Sequence, residues 1–493
     1  MKNEDSTMLR RSSPALALIL VFVLLLSACG SSGSPTQGSS TEADVSASAA
    51  VVAGGVTATA AATTGEAPAA TSDAAAAATT AEAPAATSDA AAASGDQVTI
   101  KVVSWVPDNI DSWANRTFKP FMDEHPNIRI VHEHIGANYI ETVLTRLSGS
   151  NDIDIVTVAP DNTGIFLRAG AALNLDQYIE QNREALELDT FPAWTLEDFS
   201  TVRYPDVKTG SGQYGIPLVM FVWEMWHNAD MFEQAGLSIP ERGWTWDNFV
   251  EIATKLTNQG ERKFGYENQN WMLPLFTWIW QGGGEMLSED NTKLAIGSPE
   301  NIKTFSFLQK LQLEDKVFPA PETVATEGGG INFNGGNVGM ITRGNWNVDL
   351  TRDFNFKWDV SYPPKGEEEA TVGEAVGYII NANSAKKEAA WTFLQWVLSP
   401  EGQRTLAPRD IVPNSEVMRE VGLQLQPENV RNIVVPLSGD PMVRGFPQWF
   451  RPKYGVNDLQ ERLSVLWTGE RKAEELLPEL EKEFNDALSQ PLP

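Results

Sequence analysis

The chain has 493 residues, with 37 basic and 65 acidic side chains and a formal net charge of −28. An acidic surface repels phosphate backbones and anionic headgroups, which excludes nucleic-acid binding and electrostatic docking to membranes. A single cysteine, Cys29, excludes internal disulfides and cysteine-based zinc clusters, and four histidines leave few ligands for any metal.

Lys2, Arg10 and Arg11 precede the apolar run Ala15 to Leu26, which ends in Ser27-Ala28-Cys29. A positive start, a short hydrophobic core and small residues at its end make residues 1–28 a secretory signal. The run is too short for a membrane span, which needs about 20 residues. Leu26-Ser27-Ala28-Cys29 resembles the lipobox of bacterial lipoproteins, which makes Cys29 the expected lipidation site and new N-terminus.

From Gly30 to Gln97 the chain is mostly Ala, Thr, Ser and Gly, without Lys, Arg or an aromatic residue. The stretch Glu66 to Asp73 recurs as Glu82 to Asp89, but two units lacking large apolar residues cannot bury a core. Residues 29–97 are therefore expected to be a lipidated cysteine and a disordered tether. As a flexible coil its root-mean-square reach is roughly 40–50 Å.

The sixteen tryptophans lie between Trp105 and Trp467, so the folded body starts near Val98. Val98 to Ser104 reads as a strand, Asp111 to Glu124 as a helix, Ile128 to Ile135 as a second strand, and Tyr139 to Leu147 as a helix. Ile153 to Val158 is a third strand, leading into Pro160-Asp161-Asn162. This alternation predicts an α/β fold with a parallel sheet, whose ligands gather at loops after the strand carboxyl ends. Further on, Trp246 to Asn258 is amphipathic with Thr245 as N-cap; Ala390 to Val397 repeats that spacing; Ala473 to Leu488 forms the last helix.

Several segments then match one family in order. They are Tyr214-Gly215-Ile216-Pro217, His227 to Phe232 with Ala235-Gly236-Leu237, Trp244 to Asp247, Gln281 to Gly284, Gly336 to Trp346, and Trp391 to Gln403. Together they resemble extracellular solute-binding proteins, family 1, the carbohydrate-type receptors of bacterial ABC importers that include the maltose-binding protein. Trp226-His227-Asn228 stands where the family often has Tyr-Tyr-Asn.

The resemblance implies a two-lobed periplasmic-binding-protein fold of type II, with the lobes joined by a multi-crossing hinge and a ligand cleft between them. It places lobe 1 at 98–214 plus 378–410 and lobe 2 at 215–377 plus 411–493. The crossings fall near Gly215 to Trp223, Gly377 to Ile380 and Ile411 to Asn414. A closed form favoured by a ligand that touches both lobes would be what the importer recognises. The expected protein is a monomer without cofactor, held to the outer face of the cytoplasmic membrane by lipid alone and handing a carbohydrate to permease subunits.

Sugars present hydroxyls and flat C–H faces, so their receptors need aromatic plates beside carboxylates, amides or guanidinium groups. Candidates are Trp105, Asp108, Asp161, Asn162, Phe221, Trp223, Trp280, Asn345, Trp346, Tyr378 and Arg409. Against them stand plain structural roles: Asp161 as a helix cap, the tryptophans as core, Arg409 as a partner for the neighbourhood of Asp410. His132 and His134 share a strand face and read as ordinary strand residues rather than metal ligands. Glu367-Glu368-Glu369 reads as a solvated run. The glycine triplets lack the Gly-Lys-Ser/Thr of a phosphate loop, and no Gly-x-Ser-x-Gly elbow occurs in the folded part. Dispersed Asp and Glu keep a secreted glycoside hydrolase open as the alternative, and a non-transport surface protein as a third reading.

Overall fold

The computed structural model describes residues 97–493 apart from 108–112, 151, 205, 209, 269–270, 322–330, 425–426, 448, 450–453 and 491–493. The signal, Cys29, nearly all of the tether and Asp108 lie outside the described residues.

Strand β1 (Val98–Ser104) pairs in parallel with β2 (Ile128–His134) on one side and β3 (Ile155–Val158) on the other. The helices Trp113–Glu124 and Tyr139–Gly149 connect them, as the alternating pattern predicts. Ile100, Val102 and Val103 of β1 and all of β3 are buried, because helices cover both faces of a parallel sheet.

Strand β4 (Gly215–Asn228) is fourteen residues long and, except for half-buried Phe221, buried throughout. A continuous β-branched and aromatic run with one charge, Glu224, suits a strand enclosed on both faces. Strands β5 (Phe264–Glu267), β6 (Val338–Gly344), β7 (Trp358–Ser361), β8 (Thr371–Ile380) and β9 (Val443–Gly445) complete the set. The order is β2-β1-β3-β8-β4-β6-β5, with β7 on β4 and β9 on β8.

The two lobes meet along β4 and β8. Residues 215–222 of β4 pair antiparallel with β8, whereas Trp223 to His227 pair with β6. Ile411 bridges to Met220, so all three expected crossings converge on this strand pair. One of them is displaced. Gly377 to Ile380 lie inside the first lobe's sheet, against β3, and β8 leaves β9 for β4 at Gly373. An unbroken apolar strand carries no local mark of where its partners change.

Each lobe has its own core. One gathers the β1–β3 sheet with Phe118, Phe121, Phe393 and Leu394; the other packs Phe249, Tyr266, Phe276, Trp278, Phe305 and Trp467. Local signals hold at the edges. Thr245 accepts the Asn248 amide at 3.3 Å and Asn248 returns a bond at 3.0 Å, a capping box for the helix Trp246–Leu256. The last helix is Ala473–Leu488, as expected.

The acidic run is solvent-exposed at Glu367 and Glu368, as expected, and each of its acids also holds a cation. Lys303 pairs with Glu367 at 2.8 Å, Arg444 with Glu368, and Arg242 with Glu369 at 2.9 Å. Arg242 also reaches Asp440 at 2.6 Å, tying the run to the segment before β9. These cations come from 64 or more positions away in the chain, which no local pattern reveals.

Candidate binding cleft

Phe221, the half-buried residue of β4, points its ring edge-on at Trp346, with centroids 5.2 Å apart. Trp346 also meets Trp223 at 5.0 Å, and Trp223 meets Trp271 at 5.0 Å. Trp223 is fully buried, Trp346 half-buried, and Trp271 is 37 % exposed, so the cluster runs from the core to solvent. Among the described residues the indole N–H of Trp223 has no hydrogen-bond acceptor, although it is sealed from water. Tryptophan 271 is absent from the sequence-based candidates, and its position just before the helix Met272–Gln281 was the available signal.

Trp346 can fold back on the strand end because residue 344 is glycine. A Cβ there would lie 1.8 Å from the Trp346 ring. Asn345 is committed to structure: its side-chain oxygen accepts the Val222 amide at 3.0 Å.

The polar wall comes from the first lobe. The helix Pro160–Arg168 follows β3, and its start is capped by Asn162, whose side chain accepts the Ala159 amide at 3.1 Å. Asn162 is thus buried and occupied, which leaves Asp161 to face outward. Asp161 remains open to water at the rim while protein crowds its carboxyl on the other sides. Partial desolvation raises its pKa to about 6, against the pull of the amides of Asp161 and Asn162.

Glu374 on β8 stands opposite Phe221. Burial, then the charges of Asp161 and Asp198, raise its carboxyl to about 8. Asp198 is sealed from solvent and accepts the Ala375 amide at 3.2 Å. Burial lifts it to about 8 although Arg203, 3.7 Å away, pulls the other way. Glu374 and Asp198 escaped sequence reasoning; a lone acid in an apolar strand was the signal for Glu374.

Asp161 also lines a depression of about 210 Å³, open to solvent, with Pro160, Gly164, Arg168, Tyr204 and Trp449. Arg168 is held there by Asp206 at 2.7 Å, and the Tyr204 hydroxyl donates to Pro160 at 3.0 Å. Trp449 belongs to the segment after β9 and to the second lobe's core, so both lobes contribute to the wall.

The remaining candidates lie elsewhere. Trp280 is 3 % exposed and its N–H donates to Glu285 at 3.0 Å, which makes it a core residue of its helix. Tyr378 is fully buried against Phe393, inside the first lobe. Trp105 is half-buried, edge-on to Tyr139 at 5.2 Å, at the end of β1. Arg409 is exposed, and Asp410 pairs with Arg116 at 2.5 Å. His132 packs beside Phe118, and His134 contacts the Trp105 carbonyl at 3.1 Å. Among the described residues no cluster of three or more His, Cys, Asp or Glu could hold a metal, and no helix is long and apolar enough to cross a membrane.

Comparison with known proteins bears on this arrangement. The family model described as bacterial extracellular solute-binding protein matches residues 104–404. An uncharacterized lipoprotein of Streptomyces antibioticus is 20 % identical over 368 residues, 70 % of this chain and 78 % of that protein. An ABC substrate-binding protein from Listeria monocytogenes, solved in complex with cycloalternan, superposes with a TM-score of 0.66 at 22 % identity, covering 80 % of this chain and 99 % of that one. Maltose-bound MalE3 of T. maritima gives 0.63 at 20 % identity, covering 79 % and 99 %.

Proposed function

Because the chain belongs to the bacterial extracellular solute-binding proteins, we propose that it captures a carbohydrate between its lobes and delivers it to the permease of an ABC importer. The observation that carries this reading is the pairing of plates and acceptors at the crossing strands. Phe221, Trp346 and Trp271 offer ring faces and edges, Glu374 offers a carboxyl group opposite Phe221, and the charge of Asp161 is felt at Glu374. Rings stack on the C–H faces of a pyranose, and carboxyl oxygens accept from its hydroxyls.

Mechanism follows from geometry. In this reading the lobes part to admit a sugar and close again on it. β4 and β8 are the natural flexing elements, since both run from one lobe to the other. A ligand touching Asp161 on one lobe and Trp346 on the other makes all its contacts only when they close, so binding favours closure.

The lipobox-like Leu26-Ser27-Ala28-Cys29 and the tether support anchoring through lipid on Cys29, with a monomeric body standing off the membrane. A panel of mono-, di- and oligosaccharides followed by tryptophan fluorescence tests the reading. A saturable shift with one sugar class and no product is expected; a hydrolysis product without a binding shift would replace the receptor with an enzyme.

A further inference from the structure

Glu374 is the only charged residue of β8, and among the described residues it makes no ion pair. Two other charged elements face its neighbourhood. The helix Pro160–Arg168 brings Asp161, which is likewise without an ion pair among the described residues, and Arg168, which Asp206 holds at 2.7 Å. The turn after the helix Ala193–Glu197 brings Asp198 and Arg203, and Arg203 is shared between Glu197 at 3.1 Å and Asp198 at 3.7 Å. Both guanidinium groups are thus paired with other carboxylates, so Glu374 and Asp161 face the cleft without a cation among the described residues.

The second observation is independent of the acids. Across the strand pair from Glu374 stands Phe221, and behind it Trp346, Trp223 and Trp271 form a ring cluster that reaches solvent. Aromatic faces attract cations through their quadrupole, most strongly where water is partly excluded. A neutral sugar would use the rings and leave these carboxyl groups without a cationic partner. A sugar with an ammonium group would use both.

We propose that Glu374, with Asp161 beside it, selects a carbohydrate carrying a protonated amino group over its neutral counterpart. This inference rests on the carbohydrate reading above and names the class within it. On binding, the ammonium donates to the Glu374 carboxylate; the proton that Glu374 holds in the empty cleft passes to solvent, and no covalent bond changes in the ligand. Charge-assisted hydrogen bonds of this kind are about twice as strong as neutral ones.

The test uses the full chain and three matched probes: a glucosamine disaccharide, its N-acetylated form, and the unsubstituted glucose disaccharide. Calorimetry near neutral pH, in two buffers of different ionisation heat, reads affinity and proton release together. The inference expects the amine to bind about tenfold or more tighter than either neutral probe, with net proton release. Glu374→Gln should collapse that ratio, and Asp161→Asn should reduce it, each variant first shown to be folded by thermal melting. A neutral probe binding as tightly as the amine, or a ratio intact in both variants, overturns the inference and leaves the sugar reading standing. No heat from any of the three, nor from the wider sugar panel, overturns the sugar reading and the inference with it.

Discussion

The side-chain oxygen of Asn345 accepts the backbone amide of Val222 at 3.0 Å, at the residue where β4 gives up β8 and takes β6. A bond from the end of β6 thereby pins the strand that joins the lobes. Asn345→Ala should lower stability by about 1 kcal/mol, the cost of one lost hydrogen bond with an orphaned amide. It should also weaken sugar binding, whereas Asn345→Asp, which keeps an acceptor, should preserve most of the stability. Denaturant unfolding of the three proteins decides this.

Trp346 bridges Phe221 and Trp223 while remaining half-buried. Trp346→Ala should reduce sugar affinity by about tenfold to a hundredfold without unfolding the body. Unchanged affinity in a fluorescence titration would remove this ring from the site.

Gly344 meets the same ring from behind. Because a Cβ there would fall 1.8 Å from it, Gly344→Ala must displace the indole. A stability loss of about 1–3 kcal/mol is expected, together with weaker binding. A crystal structure of the variant with Trp346 unmoved would contradict the argument.

Buried titratable groups give a pH signature of opposite signs. Burial raises Asp198 from 3.8 to about 8, so between those values the native state holds a proton that the unfolded state has lost. Stability from this group is complete below pH 3.8 and is lost as pH rises towards 8. Glu224, sealed in β4, shifts in the same direction through burial. Buried His227 is lowered from 6.5 to about 3, so its contribution is complete above 6.5 and is lost as pH falls through 3. Asp198→Asn keeps an acceptor for Ala375 and should flatten the fall between pH 3.8 and about 8, and Glu224→Gln should raise stability at neutral pH. Melting temperatures across pH 3 to 9 check both signs, and an unaltered profile in the two variants would refute them.

Arg242 holds Glu369 and Asp440 and lies 5.0 Å over the Tyr362 ring. Being partly exposed, its removal by Arg242→Ala should cost only about 1 kcal/mol, and the loss should shrink in high salt. A salt-independent loss would show that packing, rather than charge, dominates there.

Much of the architecture was legible because its signals are local. The spacing of Phe249, Ile252, Ala253 and Leu256, with Thr245 before it, specifies a helix and its start without reference to the rest of the chain. The alternation from Val98 to Val158 did the same for the first βαβαβ unit. The site was only half legible. Composition marks Trp280 and Tyr378 as plates, but the fold turns both inward; Asn162 and Asn345 are polar enough to bind and are consumed by backbone amides. Trp271 and Glu374 become candidates only when the pairing of β4 with β8 brings them to one place. Side-chain role here depends on register and crossing, which are tertiary facts.

The central claim is capture of a sugar between the lobes, and calorimetric titration of the full chain with di- and oligosaccharides tests it most directly. The account predicts saturable one-site heat for at least one sugar, lost or strongly reduced in Trp346→Ala, with the ligand recovered intact. Absence of heat from every sugar, or recovery of a cleaved product, would contradict it.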